Sequence, residues 1–234
     1  MEIIGISNNK KQCINTIKLI DNQINSLIDY GNLSNLIVND RKYILLNNII
    51  FSFKTNTLND EINLYKNNVS ESKLNKIKEL FDLESELYNK NIYEMSSGQL
   101  RMCYIFINIL FNNELIILNN PTEDLDYKNK QKMLFILKEL KKENNIILII
   151  SKDIEFIHKI SDNVIILKDS IINQGNKYDV FTNENYNQFK IPKTIEFSKR
   201  VYELRNIKIG YRDDIKDLMK DIYRYVKWGI IWDI

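Results

Sequence analysis

No alanine occurs in the chain, and only two cysteines and one histidine do. Cys13 and Cys103 stand far apart with no metal-ligand spacing, so a zinc site is excluded and a reducing cytosol is the expected setting. Neither sign of charge dominates. The 33 Lys and Arg and 31 Asp and Glu alternate along the chain and leave a net charge of +2, so no basic stripe marks a nucleic-acid groove. No apolar run approaches the roughly 20 residues that a membrane helix needs, and Met1–Ile6 is too short for a signal peptide. No internal repeat or low-complexity linker divides the chain. What it has in excess is asparagine, about one residue in seven, with abundant Ile and Lys. An AT-rich genome produces such a composition, and under that bias Asp drifts readily to Asn. The carboxylate is lost whatever the cause.

The 234 residues can bury a substantial core, in one large domain or in a domain with a small extension. Glu2–Ile6 reads as a short buried strand, followed by a loop and by helical spacing from Ile14 to Leu27. Tyr43–Leu46 and Asn48–Phe53 read as strands, and Glu71–Leu87 as an amphipathic helix. Beyond them the expected order is strand Leu115–Leu118, helix Tyr127–Lys142, strand Ile146–Ile150, helix Glu155–Ile160 and strand Val164–Leu167. Strands alternating with helices predict an α/β fold with a mostly parallel sheet. From Asn183 the pattern changes to Ile191-Pro192 and amphipathic helical stretches, a small appended unit.

Two segments carry the chemistry. Met95-Ser-Ser-Gly-Gln99 opens a helix, and its backbone N–H groups and the positive end of the helix dipole suit a phosphate. The strand Leu115–Leu118 then ends in Asn119-Asn120-Pro-Thr-Glu-Asp-Leu-Asp126. In order and spacing these segments resemble the ATP-binding cassette ATPases of ABC transporters, whose pattern reads L-S-G-G-Q, then a strand ending D-E-P-T, then L-D. The resemblance implies a P-loop NTPase-like cassette over residues 1–182, with a helical subdomain at about 62–110 and a C-terminal helical extension at 183–234.

It also implies a nucleotide site stripped of its chemistry. The first loop, Gly5-Ile-Ser-Asn-Asn-Lys-Lys11-Gln12-Cys13, stands where the family has G-x-x-x-x-G-K-[ST]. Gly5 and Lys11 survive. Asn8 and Lys10 replace glycines that wrap phosphate, and Gln12 replaces the hydroxyl on Mg²⁺. In the family the carboxylates at the places of Asn119 and Asn120 hold Mg²⁺ through water and deprotonate the attacking water; an amide does neither. Lys152, after Ser151, stands where the family has a Thr-His pair whose His touches the γ-phosphate. As an isolated residue it reads as a solvated loop lysine, and His158, six residues too late for the role, reads as a helix-surface residue. Ser52 is the nearest match to the family's glutamine, and the strands bearing an adenine-stacking aromatic have no counterpart ahead of Gly5.

The Ser/Gly turn is better kept, with Ser96, Gly98 and Gln99 retained and Ser97 in place of the first glycine. In the family two cassettes pair head to tail, each nucleotide lying between one subunit's phosphate loop and the other's Ser/Gly turn. The expected nucleotide-binding set is therefore Gly5, Asn8, Lys11, Gln12, Ser96, Ser97, Gly98 and Gln99, with no catalytic or metal-ligating residue of the chain's own. ATP is expected weakly or in trans, with Mg²⁺ doubtful. Gly175-Asn-Lys-Tyr-Asp-Val-Phe181 and Ile191–Ile195 resemble the C-terminal extension of the ATPase subunits of energy-coupling factor transporters, which take up vitamins and metal ions. That resemblance implies an intact homologous ATPase and a transmembrane coupling protein as partners, at the cytoplasmic face of the membrane. A still-active ATPase and a cassette-fold scaffold without a transporter stand as the other two readings. Tyr223–Trp232 reads as packing of a terminal helix or as a membrane or partner contact.

Overall fold

A computed structural model describes residues 3–7, 36–38, 41–46, 53–111, 115–143, 146–167, 171–183 and 190–227. Its centre is a seven-stranded sheet in the order β2-β3-β4-β5-β1-β6-β7. The strands are β1 Ile3–Ser7, β2 Leu36–Val38, β3 Arg41–Leu46, β4 Leu115–Asn119, β5 Ile146–Ile150, β6 Asn163–Leu167 and β7 Ile171–Asn176. The five inner strands are parallel, and β2 and β7 close the two edges antiparallel. The run of Ile and Leu in β4, β5 and β6 is what a strand covered on both faces requires. Leu118, Ile147, Ile149, Val164 and Ile166 are all buried.

Between β3 and β4 lies a helical unit made of α1 (Leu58–Tyr65), α2 (Glu71–Phe81) and α3 (Ser97–Phe111). Thr57 caps α1 by accepting from Asp60 N, and Ser70 caps α2 by accepting from Lys73 N. The predicted helix from Glu71 ends at Phe81 rather than Leu87, because Asp82 turns left-handed (φ 41°) and its N–H closes on the Lys78 carbonyl; a separate 3-10 turn spans Ser85–Tyr88. Phe106 meets Phe81 and Tyr88 edge-on at 5.3 and 6.2 Å, locking that turn onto α3. Helix α3 is apolar nearly all round and correspondingly buried. Its Cys103 is fully enclosed, and burial pushes the thiol up to about 12, so it is an inert packing residue.

Helix α4 (Tyr127–Lys142) buries Met133, Leu134, Ile136, Leu137 and Leu140, the stripe its periodicity predicts. After it come α5 (Ile154–Ile160), α6 (Lys177–Thr182), α7 (Lys193–Arg205) and α8 (Ile215–Lys227). Ile195 of α7 reaches the main core, whereas Val201, Ile209 and Leu218 form a small core of their own. The expected helix 14–27, most of the expected strand 48–53 and the Trp-containing end of the chain lie outside the described residues. Among the described residues no helix is long and apolar enough to cross a membrane.

Candidate functional site

Sheet order decides which ends meet. β5 lies between β1 and β4, with Ile6 and Asn119 both in register with Ile150. The exits of β1, β5 and β4 therefore share one edge, with β1 and β4 two strand spacings apart, roughly 10 Å. Gly5 sits in β1, Asn119 ends β4, and exposed Lys152 follows β5 in the loop between them. Asn8, Lys11 and Gln12 lie outside the described residues. At this edge the chain reverses from the β2–β5 side to the β6–β7 side, the point where open α/β sheets bind ligands.

Asn120 has left-handed backbone (φ 47°), as does Asp124 (φ 62°). Asn and Asp tolerate that conformation better than other side chains. Between them the chain makes a tight turn, with Glu123 N donating to the Asn120 carbonyl at 3.0 Å and Leu125 N to the Thr122 carbonyl at 3.3 Å. Asp126 then caps α4 by accepting from Asn129 N at 2.7 Å.

The Ser/Gly turn begins α3 beside this loop. Gln99 N donates to Ser96 Oγ at 3.2 Å, and Ser96 N donates to Gln99 Oε1 at 3.1 Å, a reciprocal capping box. Ser96 and Ser97 are exposed, and the first amides of the helix, at Ser97 and Gly98, have no helical acceptor. Gly98 is required by the chain's own packing: a Cβ there would lie 2.8 Å from the Asp124 carbonyl oxygen. Sequence reasoning saw only its approach to phosphate. Beneath the two turns lies Arg101, 5% exposed, donating to the Asn120 carbonyl at 2.9 Å and to Asp124 Oδ2 at 3.3 Å.

The chain has counterparts among solved and curated proteins. CbiO1 from Clostridium perfringens, described as part of the ABC transporter complex CbiONQ, superposes with a TM-score of 0.56 over 88% of each chain at 17% identity. The chain has the ABC ATPase fold. Its sequence is similar to energy-coupling factor transporter ATP-binding proteins EcfA2. That of Mycoplasmoides gallisepticum is 35% identical over 102 residues, covering 43% of this chain and 32% of the relative. Those of Leuconostoc mesenteroides and Staphylococcus aureus are each 26% identical, over 54% and 68% of this chain and 46% and 54% of theirs. The aligned parts thus span from a third to about half of these relatives' length. No family model matches. Gly5, Lys152 and Asn119 thus share one edge of the sheet, and the Ser96–Gln99 turn stands beside the Asn120–Asp126 loop.

His158 is a correction. It does not lie on the helix surface: it is 0% exposed, with Nε2 donating to the Arg212 carbonyl at 3.1 Å, Thr194 Oγ1 at 3.3 Å, and Tyr178 and Phe181 against its ring. Lys177 Nζ donates to the His158 carbonyl at 3.0 Å and to Asp213 Oδ2 at 2.6 Å, and Tyr178 donates to Asp213 Oδ1 at 2.6 Å. This cluster joins α5 and α6 to the segment between α7 and α8. Burial pushes the imidazole below its ordinary range against the pull of the Arg212 carbonyl and Asp213, so His158 is held neutral. Helical spacing predicts an apolar face for α5, but what covers it comes from Tyr178, Phe181 and residues 194–213, beyond any local pattern. Arg101 left a signal that was passed over: a lone cation in the apolar run Leu100–Phe111 has to be partnered. Glu61 is another, buried at 3% and accepting from Lys54 N, Thr55 N and Thr55 Oγ1, so that it pins the loop ahead of α1.

Proposed function

We propose that this chain is a peripheral ATP-binding cassette subunit of an energy-coupling factor type importer, at the cytoplasmic face of the membrane. In this reading residues 1–182 form the nucleotide-binding unit and 183–234 the extension. Its partners are an intact homologous ATPase and a transmembrane coupling protein. Its own site does not hydrolyse ATP, and its Ser96–Gln99 turn completes the partner's site. The observation that carries this reading is an asymmetry: the turn keeps its capping box and exposed amides, while both carboxylate positions at the strand end are Asn.

The donor set supports the same division. Gln12 and Asn119 offer neutral amide oxygens where a hydroxyl and a carboxylate would hold Mg²⁺, a hard cation bound through one or two carboxylates and phosphate oxygens. These residues do not fit a firmly held Mg²⁺, and no hydrolytic step is assigned to them. ATP, if bound by Gly5, Asn8, Lys11 and Gln12, is bound weakly. At the partner's site the Ser96 hydroxyl and the first amides of α3 present donors and the helix dipole to a γ-phosphate.

The test is the complex captured from detergent-solubilised membranes by a tag on this chain. Ser96→Ala should lower its ATP hydrolysis about tenfold or more, the scale of losing one donor to a developing charge. Lys11→Ala should do much less. Greater damage from Lys11→Ala would overturn the reading, and a tag that captures no membrane protein would favour a scaffold.

A further inference from the structure

The Ser96–Gln99 turn and the Asn120–Asp126 loop belong to different elements, yet they are built as one piece. Gly98 lets the start of α3 come against the Asp124 carbonyl, so close that a methyl group would not fit. One turn further along the helix, Arg101 places its guanidinium under the loop. One terminal nitrogen donates to the Asn120 carbonyl at 2.9 Å, and the other lies 3.3 Å from Asp124 Oδ2 and 3.6 Å from Glu123 Oε2. These contacts grip the loop at both of its left-handed residues, Asn120 and Asp124. The arrangement is not the cheapest way to fill the space: Arg101 Nε is buried with no acceptor among the described residues. An apolar side chain would avoid that unmet donor, so geometry rather than stability is what the arginine supplies.

We infer that Arg101 is a positioning residue, fixing the exposed Ser96–Gln99 turn to the loop after β4 so that both meet a partner cassette as a single rigid face. This rests on the reading that the turn acts in trans. Arg101 touches no nucleotide itself. It acts through Ser96, by holding the helix end against a loop whose place is set by β4 in the middle of the sheet. Displacing a positioned group by about 1 Å can cost up to a hundredfold in rate.

Three variants of the captured complex, Ser96→Ala, Arg101→Lys and Arg101→Met, test the inference, with ATP hydrolysis as readout. Arg101→Met should lower hydrolysis at least about tenfold. Arg101→Lys keeps the charge and the fold but cannot hold two acceptors in a planar fork, and should fall between the methionine variant and the wild type. Because Arg101 acts through Ser96, the double variant Ser96→Ala with Arg101→Lys should be no worse than Ser96→Ala alone. Losses that multiply would mean that Arg101 serves general stability and would overturn the inference, as would wild-type activity in Arg101→Lys. If Ser96→Ala is itself silent, the trans reading falls. Hydrogen exchange on the isolated chain supplies a test independent of any partner: Arg101→Lys should speed exchange at Ser97–Leu100 and Glu123–Leu125 together and leave Met133–Leu140 unchanged. Unchanged exchange in both segments would overturn the inference by itself.

Discussion

At the Ser96–Asp126 face a buried guanidinium supports two turns whose polar ends point outward, whereas at the His158–Asp213 joint a buried imidazole, an ammonium and a phenol are turned on one another. The first region leaves the exposed Ser96 and Ser97 and the opening amides of a helix beside a loop in left-handed backbone. The second matches nearly every donor with an acceptor. It commits the histidine and Lys177 to holding the C-terminal segment against α5 and α6. Buried polar groups occur in both, so burial alone does not separate function from structure. The outward face offers donors to something else, and the joint does not.

The largest expected effect tests the outward face. The isolated chain should hydrolyse ATP at least about a thousandfold more slowly than a cassette with both carboxylates, since loss of such groups costs orders of magnitude. Phosphate release that matches an intact cassette and disappears with Lys11→Ala would break the comparison at once.

Next comes a pair of glycine substitutions. Gly98→Val should destabilise the chain by about 2 kcal/mol in urea unfolding, because the added carbon meets a backbone carbonyl that cannot swing aside. Gly210→Ala, near the joint, should stay within about 0.5 kcal/mol, its nearest neighbour being the Arg212 guanidinium at 3.8 Å. Equal effects would show that the turn and loop are not held in close register. The same contact means that Ser96→Ala reports on nucleotide chemistry more cleanly than any change at Gly98.

Within the joint, Tyr178→Phe removes one bond to Asp213 and leaves Lys177 in place, a loss of about 1 kcal/mol by the same measurement. The phenol's own titration is pushed upward, first by burial and then by its bond to Asp213, so the effect should not change between pH 6 and 9.

The smallest effect is the pH dependence of His158. Its folded value is lowered mainly by burial, so the unfolded chain takes up a proton first as pH falls below about 6.5, and stability drops from there downward. Above that pH the imidazole is neutral in both states and contributes no slope. Subtracting the stability curve of His158→Gln from that of the wild type should isolate this loss. A flat difference between pH 7.5 and 5 would break the account of the joint as a neutral-histidine contact.

Much of the sheet was legible because its strands are apolar runs of ordinary length, and β4, β5 and β6 fall within a residue of where the sequence puts them. The overlong helix from Glu71 was not, because its end depends on one aspartate entering the left-handed region, which helical periodicity does not register. The Ser96–Gln99 turn was legible as a local motif. Arg101 and the Gly98–Asp124 contact were not, since they join residues 19 to 26 positions apart whose adjacency is a property of the fold. His158 was misread for the same reason: the rings against it, Tyr178 and Phe181, and its hydrogen-bond partners, Thr194 and Arg212, all come from beyond its own helix.

The position of β1 has a consequence for how the chain is made. Ile4 pairs with Leu148 on one side and with Asn163 on the other, so both partners of β1 among the described strands are made more than 140 residues after it. Pairings of such long separation form late and slowly, and an apolar strand waiting for them is exposed to other chains. The helical unit between Leu58 and Phe111 holds its own caps and aromatic contacts, and can take shape while that strand still waits. Assembly of the sheet then becomes a single late event, in which β5 and β6 arrive and enclose β1 between them.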